Sequence, residues 1–305
     1  MVQLEISIGG LRLKNPVMTA SGTFGHGTEF AELYDINRLG AVVTKTITPL
    51  PRAGNPPPRM AETPSGMLNA VGLQNGGLEE FLKNKAPFLR RLKTAVVVSI
   101  SAGGPAEFAD MALAVETSGC ADALELNLSC PNVLHGAVKN MISQDCGAIE
   151  AVVSAVRKKC GLAAIAKLSP NVTDITKTAL AAQNAGADAV CLINTLPAMS
   201  VDLKTRKPRL ANITGGLSGP AIKPVALKLV WDAVRALDIP VIACGGITTA
   251  EDALEFILCG ATAVEVGTAN LTNPFAAPEI LSGMERWLRE NKIASLDELR
   301  GKLIA

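Results

Sequence analysis

Eight short apolar runs recur along the 305 residues, and no other feature narrows the possible folds so far. They occupy residues 16–21 (PVMTAS), 41–47 (AVVTKTI), 95–101 (AVVVSIS), 123–129 (ALELNLS), 163–169 (AAIAKLS), 189–195 (AVCLINT), 239–244 (IPVIAC) and 263–268 (AVEVGT). Each run is short, rich in aliphatic residues and followed by Gly, Pro, Ser or Asn, which is how a buried strand ends. Hydrophobic residues make up 48% of the chain but aromatics only 3%, so the core is built from Ala, Val, Ile and Leu. That mixture suits parallel strands covered on both faces by helices.

Four of the runs are entered through a glycine that closes a helical stretch: Gly40, Gly119, Gly186 and Gly260. Each is expected at a helix C′ position, where φ > 0 costs glycine little. Between runs the period is helical. In 221–237, for example, Ile222, Val225, Leu229, Trp231, Val234 and Leu237 are expected to form the buried stripe. Regular βα alternation with right-handed crossovers and eight strands implies a closed barrel. The expected architecture is therefore a single (β/α)8 TIM barrel spanning 1–305 as one domain. An open doubly wound sheet fits less well, because the glycine pairs suited to phosphate come late in the chain, near the seventh and eighth strands.

Charge and cysteine usage exclude several classes of function. With 29 basic and 28 acidic residues interspersed, there is no electrostatic footprint for nucleic acid or an anionic membrane. Seven cysteines without C-x-x-C spacing give neither a disulfide framework nor a cysteine-rich metal site. The start of the chain (MVQLEISIGG) lacks an apolar signal region, and no window reaches the roughly 18 apolar residues of a membrane span. A soluble, cytoplasmic protein is expected.

Three connections are longer than barrel loops usually are: 48–76, 130–147 and 196–220. All follow the C-terminal ends of strands, where barrels keep their active sites. Polar or glycine residues close each strand at the same end: Ser21, Lys45, Ser99, Asn127, Lys167, Asn194 with Thr195, Gly245–Gly246 and Gly267–Thr268. A buried strand has no structural need of lysine, so Lys45 and Lys167 each require an anionic or electron-rich partner, a ligand or a structural carboxylate. Glycine pairs after the seventh and eighth strands are where many barrels bind phosphate. Asn69, Asn127, Asn132 and Asn194 can offer donors and acceptors to a flat heterocycle. Cys130, in ELNLSCPN, ends the fourth strand before a long loop and is a candidate base, whereas Cys191, Cys244 and Cys259 read as core fillers. His26 and His135 are too few for a metal site, and no metal is expected.

Taken together, ASGTFGHG, TKTITPLPRAGNPPPR, GMLNAVGLQN, ELNLSCPNV, AKLSPN, LINT, GGLSGPAIKP, ACGGI and VGTA resemble class 1 dihydroorotate dehydrogenases along almost the whole chain. NAVGLQN and GGLSGPAIKP are similar to the NAD-linked class 1B rather than the fumarate-reducing class 1A. The resemblance implies oxidation of (S)-dihydroorotate to orotate in pyrimidine biosynthesis, with the C5 proton taken by Cys130 and the C6 hydride by N5 of FMN. It implies an orotate set of Lys45, Asn69, Val71, Gly72, Leu73, Asn127, Asn132, Asn194 and Thr195. The implied FMN set is Ser21, Lys45, Thr46, Ser99, Asn127, Lys167, Ile193, Gly219, Gly245, Gly246, Gly267 and Thr268, the last four around the phosphate. Position 99 is Ser where the family commonly shows Asn. The resemblance further implies a homodimer joined to a partner chain carrying FAD and a [2Fe–2S] cluster, in a heterotetramer that passes electrons to NAD+. A tRNA-dihydrouridine synthase, a dihydropyrimidine dehydrogenase-like enzyme and a non-catalytic phosphate-binding scaffold are the alternatives.

Overall fold

A computed structural model of the chain describes residues 2–128 and 142–304. Eight parallel strands close a barrel: β1 (Val17–Thr19), β2 (Ala41–Val43), β3 (Ala95–Ile100), β4 (Ala123–Asn127), β5 (Ala163–Leu168), β6 (Ala189–Leu192), β7 (Val241–Cys244) and β8 (Ala263–Val266). Each pairs with its neighbour in sequence, and β8 closes on β1 through Val264 opposite Val17 and Val266 opposite Thr19. All eight lie inside the apolar runs read from the sequence. Their residues are almost wholly buried, as expected of strands with a filled interior on one side and helices on the other.

The outer layer includes helices Pro105–Ser118, Cys146–Lys159, Ile175–Asn184, Lys223–Ala236, Ala250–Leu258 and Ala276–Glu290. Local chemistry fixes their ends. Asp145 and Asp174 accept from backbone N–H groups of the first turn of their helices, and Thr249 with Asp252 forms a reciprocal capping box. A hairpin of Ile6–Ile8 and Leu11–Leu13 precedes β1, and its turn at Gly9 packs against Asp188, just ahead of β6. The hairpin therefore lies at the end of the barrel opposite the mouth.

Two sequence expectations need correction. Gly119, Gly186 and Gly260 have the positive φ predicted for them, but Gly40 does not. A Cβ at Gly40 would lie 2.0 Å from the carbonyl oxygen of Asn15, so close backbone approach is what requires glycine there. In Lys223–Ala236 the face turned to the barrel is Ala226, Val230 and Ala233, continued by Ile222, while Val225 is exposed. The small alanines let the helix approach the strand ends closely, and a stripe drawn through the larger apolar residues misses that face.

The long connections are not plain loops. Met60–Thr63 and Gly66–Asn69 from the second connection pair antiparallel, and Gly66–Asn69 also pairs with Thr214–Ser218 from the sixth. Thr214–Ser218 pairs in turn with Leu196–Met199. The result is a four-stranded sheet that supplies one wall of the barrel mouth.

Candidate active site at the barrel mouth

The C-terminal ends of the strands and this added sheet enclose a cavity of about 400 Å³, within the range of small-molecule sites. It is lined by Ser21, Lys45, Thr46, Asn69, Val71, Gly72, Leu73, Asn127, Lys167, Ile193, Asn194, Thr195, Gly219, Gly245, Gly246, Gly267 and Thr268. These are all but three of the site residues expected from the sequence. Cys130 and Asn132 lie outside the described residues. Ser99 is described but does not reach the cavity: it is fully buried in β3 beneath it. Because the serine side chain is short, its hydroxyl is spent on Glu125 (2.8 Å) and on a bond with Thr46 (2.9 Å).

One side of the cavity carries amides and cations. The Asn194 amide donates to Asn127 Oδ1 (3.5 Å), and Asn127 Nδ2 donates to Thr46 Oγ1 (3.1 Å). The Asn194 carboxamide oxygen also accepts from the Thr195 backbone N–H (2.8 Å), which fixes its orientation. Asn69 comes from the added sheet, where Nδ2 donates to the carbonyl of Gly216 (3.4 Å). Leu73 has φ +54° and follows Gly72 at φ +77°, so the chain turns sharply where it lines the cavity. Lys45 and Arg59 line the same cavity, and among the described residues neither is ion-paired. Burial, and then the nearby Arg59 charge, hold the Lys45 amine below its usual range. A pocket wall with two cations that pair with no carboxylate among the described residues favours an anionic ligand.

The opposite side is made of glycine turns. Gly219 (φ +90°), Gly245 (φ +131°) and Gly246 (φ +77°) turn the backbone after the added sheet and after β7, and Gly267–Thr268 follow β8. Among the described residues the backbone N–H groups of Gly246 and Thr268 have no partner. At Gly246 a Cβ would lie 2.6 Å from the Lys223 Cβ and 2.7 Å from its backbone nitrogen, so only glycine fits. Lys223 is itself held by Asp252 (2.6 Å) and Glu255 (2.8 Å), and Asp252 also accepts from the N–H of Thr248 (2.8 Å), which locks this turn.

The floor contains groups that sequence reasoning missed. Lys167 donates to Glu125 Oε2 (3.1 Å), Glu265 Oε2 (2.7 Å) and Ser21 Oγ (3.3 Å). Of the two partners considered for it, the structural carboxylate is present twice. Glu125 sits in ALELN and Glu265 in AVEV, and the rule that singled out lysines in buried strands applies equally to them. Cys244 lines the cavity and so is no mere core filler. A hydrogen bond from Cys191 brings its thiol down to about 7. Atoms of Cys191, Cys244 and Glu265 come within 4.8 Å of one another, a metal-ligand spacing, but the Lys167 ammonium already stands in this cluster as its cation.

A parallel barrel with a mouth cavity, an anion-favouring wall and glycine turns after its last strands has the build of a barrel enzyme acting on a small molecule. The chain belongs to the dihydroorotate dehydrogenase family, whose pattern it matches over residues 3–288. It is 53% identical over 300 residues to the dihydroorotate dehydrogenase B (NAD(+)) catalytic subunit of Trichlorobacter lovleyi, covering 98% of both chains. Proteins of the same description from Pelobacter propionicus (53%) and Geobacter sulfurreducens (51%) are matched over 98% of both chains too. Among the described residues no helix is long and apolar enough to cross a membrane.

Proposed function

We propose that this chain is the catalytic subunit of an NAD-linked dihydroorotate dehydrogenase, oxidising dihydroorotate to orotate for pyrimidine synthesis with FMN as its own cofactor. The observation that carries the reading is the division of one cavity into an amide-and-cation wall and a glycine-turn wall, in a member of this family. The donor set fits FMN. The N–H groups of Gly246 and Thr268, without a partner among the described residues, suit a phosphate monoester, and Lys167 lines the same cavity. When bound, FMN supplies a two-electron hydride acceptor.

The protein's own groups would then work as follows. Lys45, with Arg59 beside it, neutralises the substrate carboxylate. Asn69, Asn127 and Asn194, with Asn132, address the ring amides of the pyrimidine. Val71, Gly72, Leu73 and Thr195 would close around it, while Ser21, Thr46 and Ile193 would border the cofactor. Cys130 would take the proton removed from substrate C5, as a cysteine can do when its surroundings favour the thiolate. Lys167 would offer positive charge to a flavin held in this cavity, which gains negative charge on reduction.

A homodimer of this chain would pass electrons to NAD+ through a partner carrying FAD and a [2Fe–2S] cluster, in the cytoplasm. The sequence contains no G-x-G-x-x-G element and no cysteine cluster of its own for these groups. Anaerobic assay of the isolated chain tests this. Dihydroorotate should reduce a dye acceptor rapidly but NAD+ only when such a partner is added. Full-rate NAD+ reduction by the isolated chain, or turnover with fumarate at that rate, would overturn the class assignment.

A further inference from the structure

Beneath the cavity, one ammonium faces two carboxylates in a site with almost no access to water. The side chains of Lys167, Glu125 and Glu265 are 5%, 0% and 1% exposed. Two carboxylates and one ammonium leave a net negative charge, and burying it uncompensated is costly. One proton relieves that cost, and the hydrogen bonds show where it belongs.

Glu125 is surrounded by donors. Lys167 donates to Oε2 and Ser99 to Oε1. Since Ser99 spends its proton on Glu125, the bond between Ser99 and Thr46 must run from Thr46 to Ser99. Thr46 Oγ1 in turn accepts from Asn127, whose own oxygen accepts from Asn194. Every bond in the series Asn194, Asn127, Thr46, Ser99, Glu125 thus points the same way and ends on an anion. Glu265 lacks such a set. Lys167 donates to its Oε2, but among the described residues its buried Oε1 has no hydrogen-bond partner.

We propose that Glu265 is a neutral carboxylic acid and Glu125 the anion of the pair, and that Glu125 is a positioning residue. Through Ser99 and Thr46 it fixes which way the Asn127 and Asn194 amides face the cavity. The groups around Glu265 agree with this assignment. They are Lys167 on β5, Glu125 on β4, Cys191 on β6, Cys244 on β7 and, beyond β1, Ser21; only Lys167 is cationic. Burial, and then the Glu125 charge, push the Glu265 carboxyl well above the ordinary range, whereas the Lys167 charge and hydrogen bonds from Ser21, Glu265 and Ser99 hold Glu125 low despite its burial. Chains of aligned hydrogen bonds polarise one another, so an anion at one end is felt at the other.

The two glutamates touch the same lysine, yet the proposal gives them opposite behaviour. In the full-length chain at neutral pH, infrared difference spectra should contain the C=O stretch of a buried protonated carboxyl that Glu265→Gln removes, that Glu125→Gln also removes by taking away the second negative charge, and that Ser99→Ala, which touches only Glu125, leaves at the same frequency. Its absence from the wild type, its survival in Glu265→Gln, or a shift of its frequency in Ser99→Ala would overturn the assignment. Orotate binding gives the second readout and rests on the proposed function. Glu265→Gln should bind orotate as the wild type does, while Glu125→Gln should bind it roughly 10- to 100-fold more weakly, the scale of a lost charged hydrogen bond. Equal losses in both variants would refute the positioning role. A wild type that binds no orotate would instead count against the proposed function and leave the infrared result to stand by itself. Should Glu125→Gln fold poorly, Ser99→Ala cuts the same series one bond earlier and must weaken orotate binding without removing the infrared band.

Discussion

Lys45 and Lys167 stand out in the sequence for one reason, a charge in a strand that should be buried, but the structure gives them different surroundings. Lys167 is locked between two carboxylates, so its charge is a permanent part of the floor. Lys45 meets no carboxylate among the described residues and faces the cavity. Applying the same reasoning to acids would have found Glu125 and Glu265, so this omission was of method, not of signal. Cys244 was less legible. A cysteine ending a strand reads as core, and only the closure of the barrel brings Cys191, Glu265 and Lys167 around it. For Cys130 the proposed role predicts a clear separation of binding from chemistry. Cys130→Ala should keep its bound flavin and its affinity for orotate while reduction by dihydroorotate slows on the order of 10²- to 10⁴-fold, as loss of a general base does. Stopped-flow reduction at wild-type speed would remove Cys130 from that role.

His26 gives a second residue-scale prediction. Burial, reinforced by Lys85, lowers its pKa to about 4 from 6.5. Between those values the unfolded chain binds the proton and the native chain does not, so stability falls as pH drops through that window. The loss should approach about 3 kcal/mol by pH 4, and His26→Gln should flatten this limb of the pH–stability curve. Denaturant titrations at pH 7, 5.5 and 4 measure it. Equal slopes for wild type and variant would show that His26 does not contribute.

At the scale of elements, all eight barrel strands were readable because each is a local apolar run with its own stop signal. The added sheet was not. Its strands carry no clear alternation of their own, and Gly66–Asn69 meets Thr214–Ser218 across nearly 150 residues of chain. Its glycines explain the pairing after the fact. A Cβ on Gly215 would sit 2.6 Å from the carbonyl oxygen of Asn69, and one on Gly66 2.5 Å from that of Ser218. Gly215→Val should therefore separate the two connections, displace Asn69 and weaken ligand binding at least tenfold, with the barrel's circular dichroism retained. Unchanged ligand affinity would mean that the sheet does not shape the cavity. On the side proposed for phosphate, Gly246→Ala combines an unfavourable φ with a backbone clash at Lys223. It should lower stability by about 1–3 kcal/mol and release flavin, read as a rise in free flavin fluorescence. Tight flavin binding in Gly246→Ala would shift the phosphate to another turn.

At the scale of the whole molecule, closure of the barrel gathers residues from eight separate stretches of sequence at one end, and the account depends on that convergence. Fold class followed from order and spacing alone, while the cavity wall was read partly from the polar and glycine residues at strand ends and, for Thr46, Val71, Gly72, Leu73, Ile193 and Gly219, from the family resemblance. The protonation pattern of the floor did not, because it depends on distances of about 3 Å between strands far apart in sequence. The most direct test is anaerobic titration of the isolated chain with dihydroorotate, followed by visible absorption and by orotate release. The account predicts a yellow protein with one FMN per chain, bleached by one equivalent of dihydroorotate with one orotate formed. A colourless protein, or a bound flavin that dihydroorotate leaves oxidised, would contradict it.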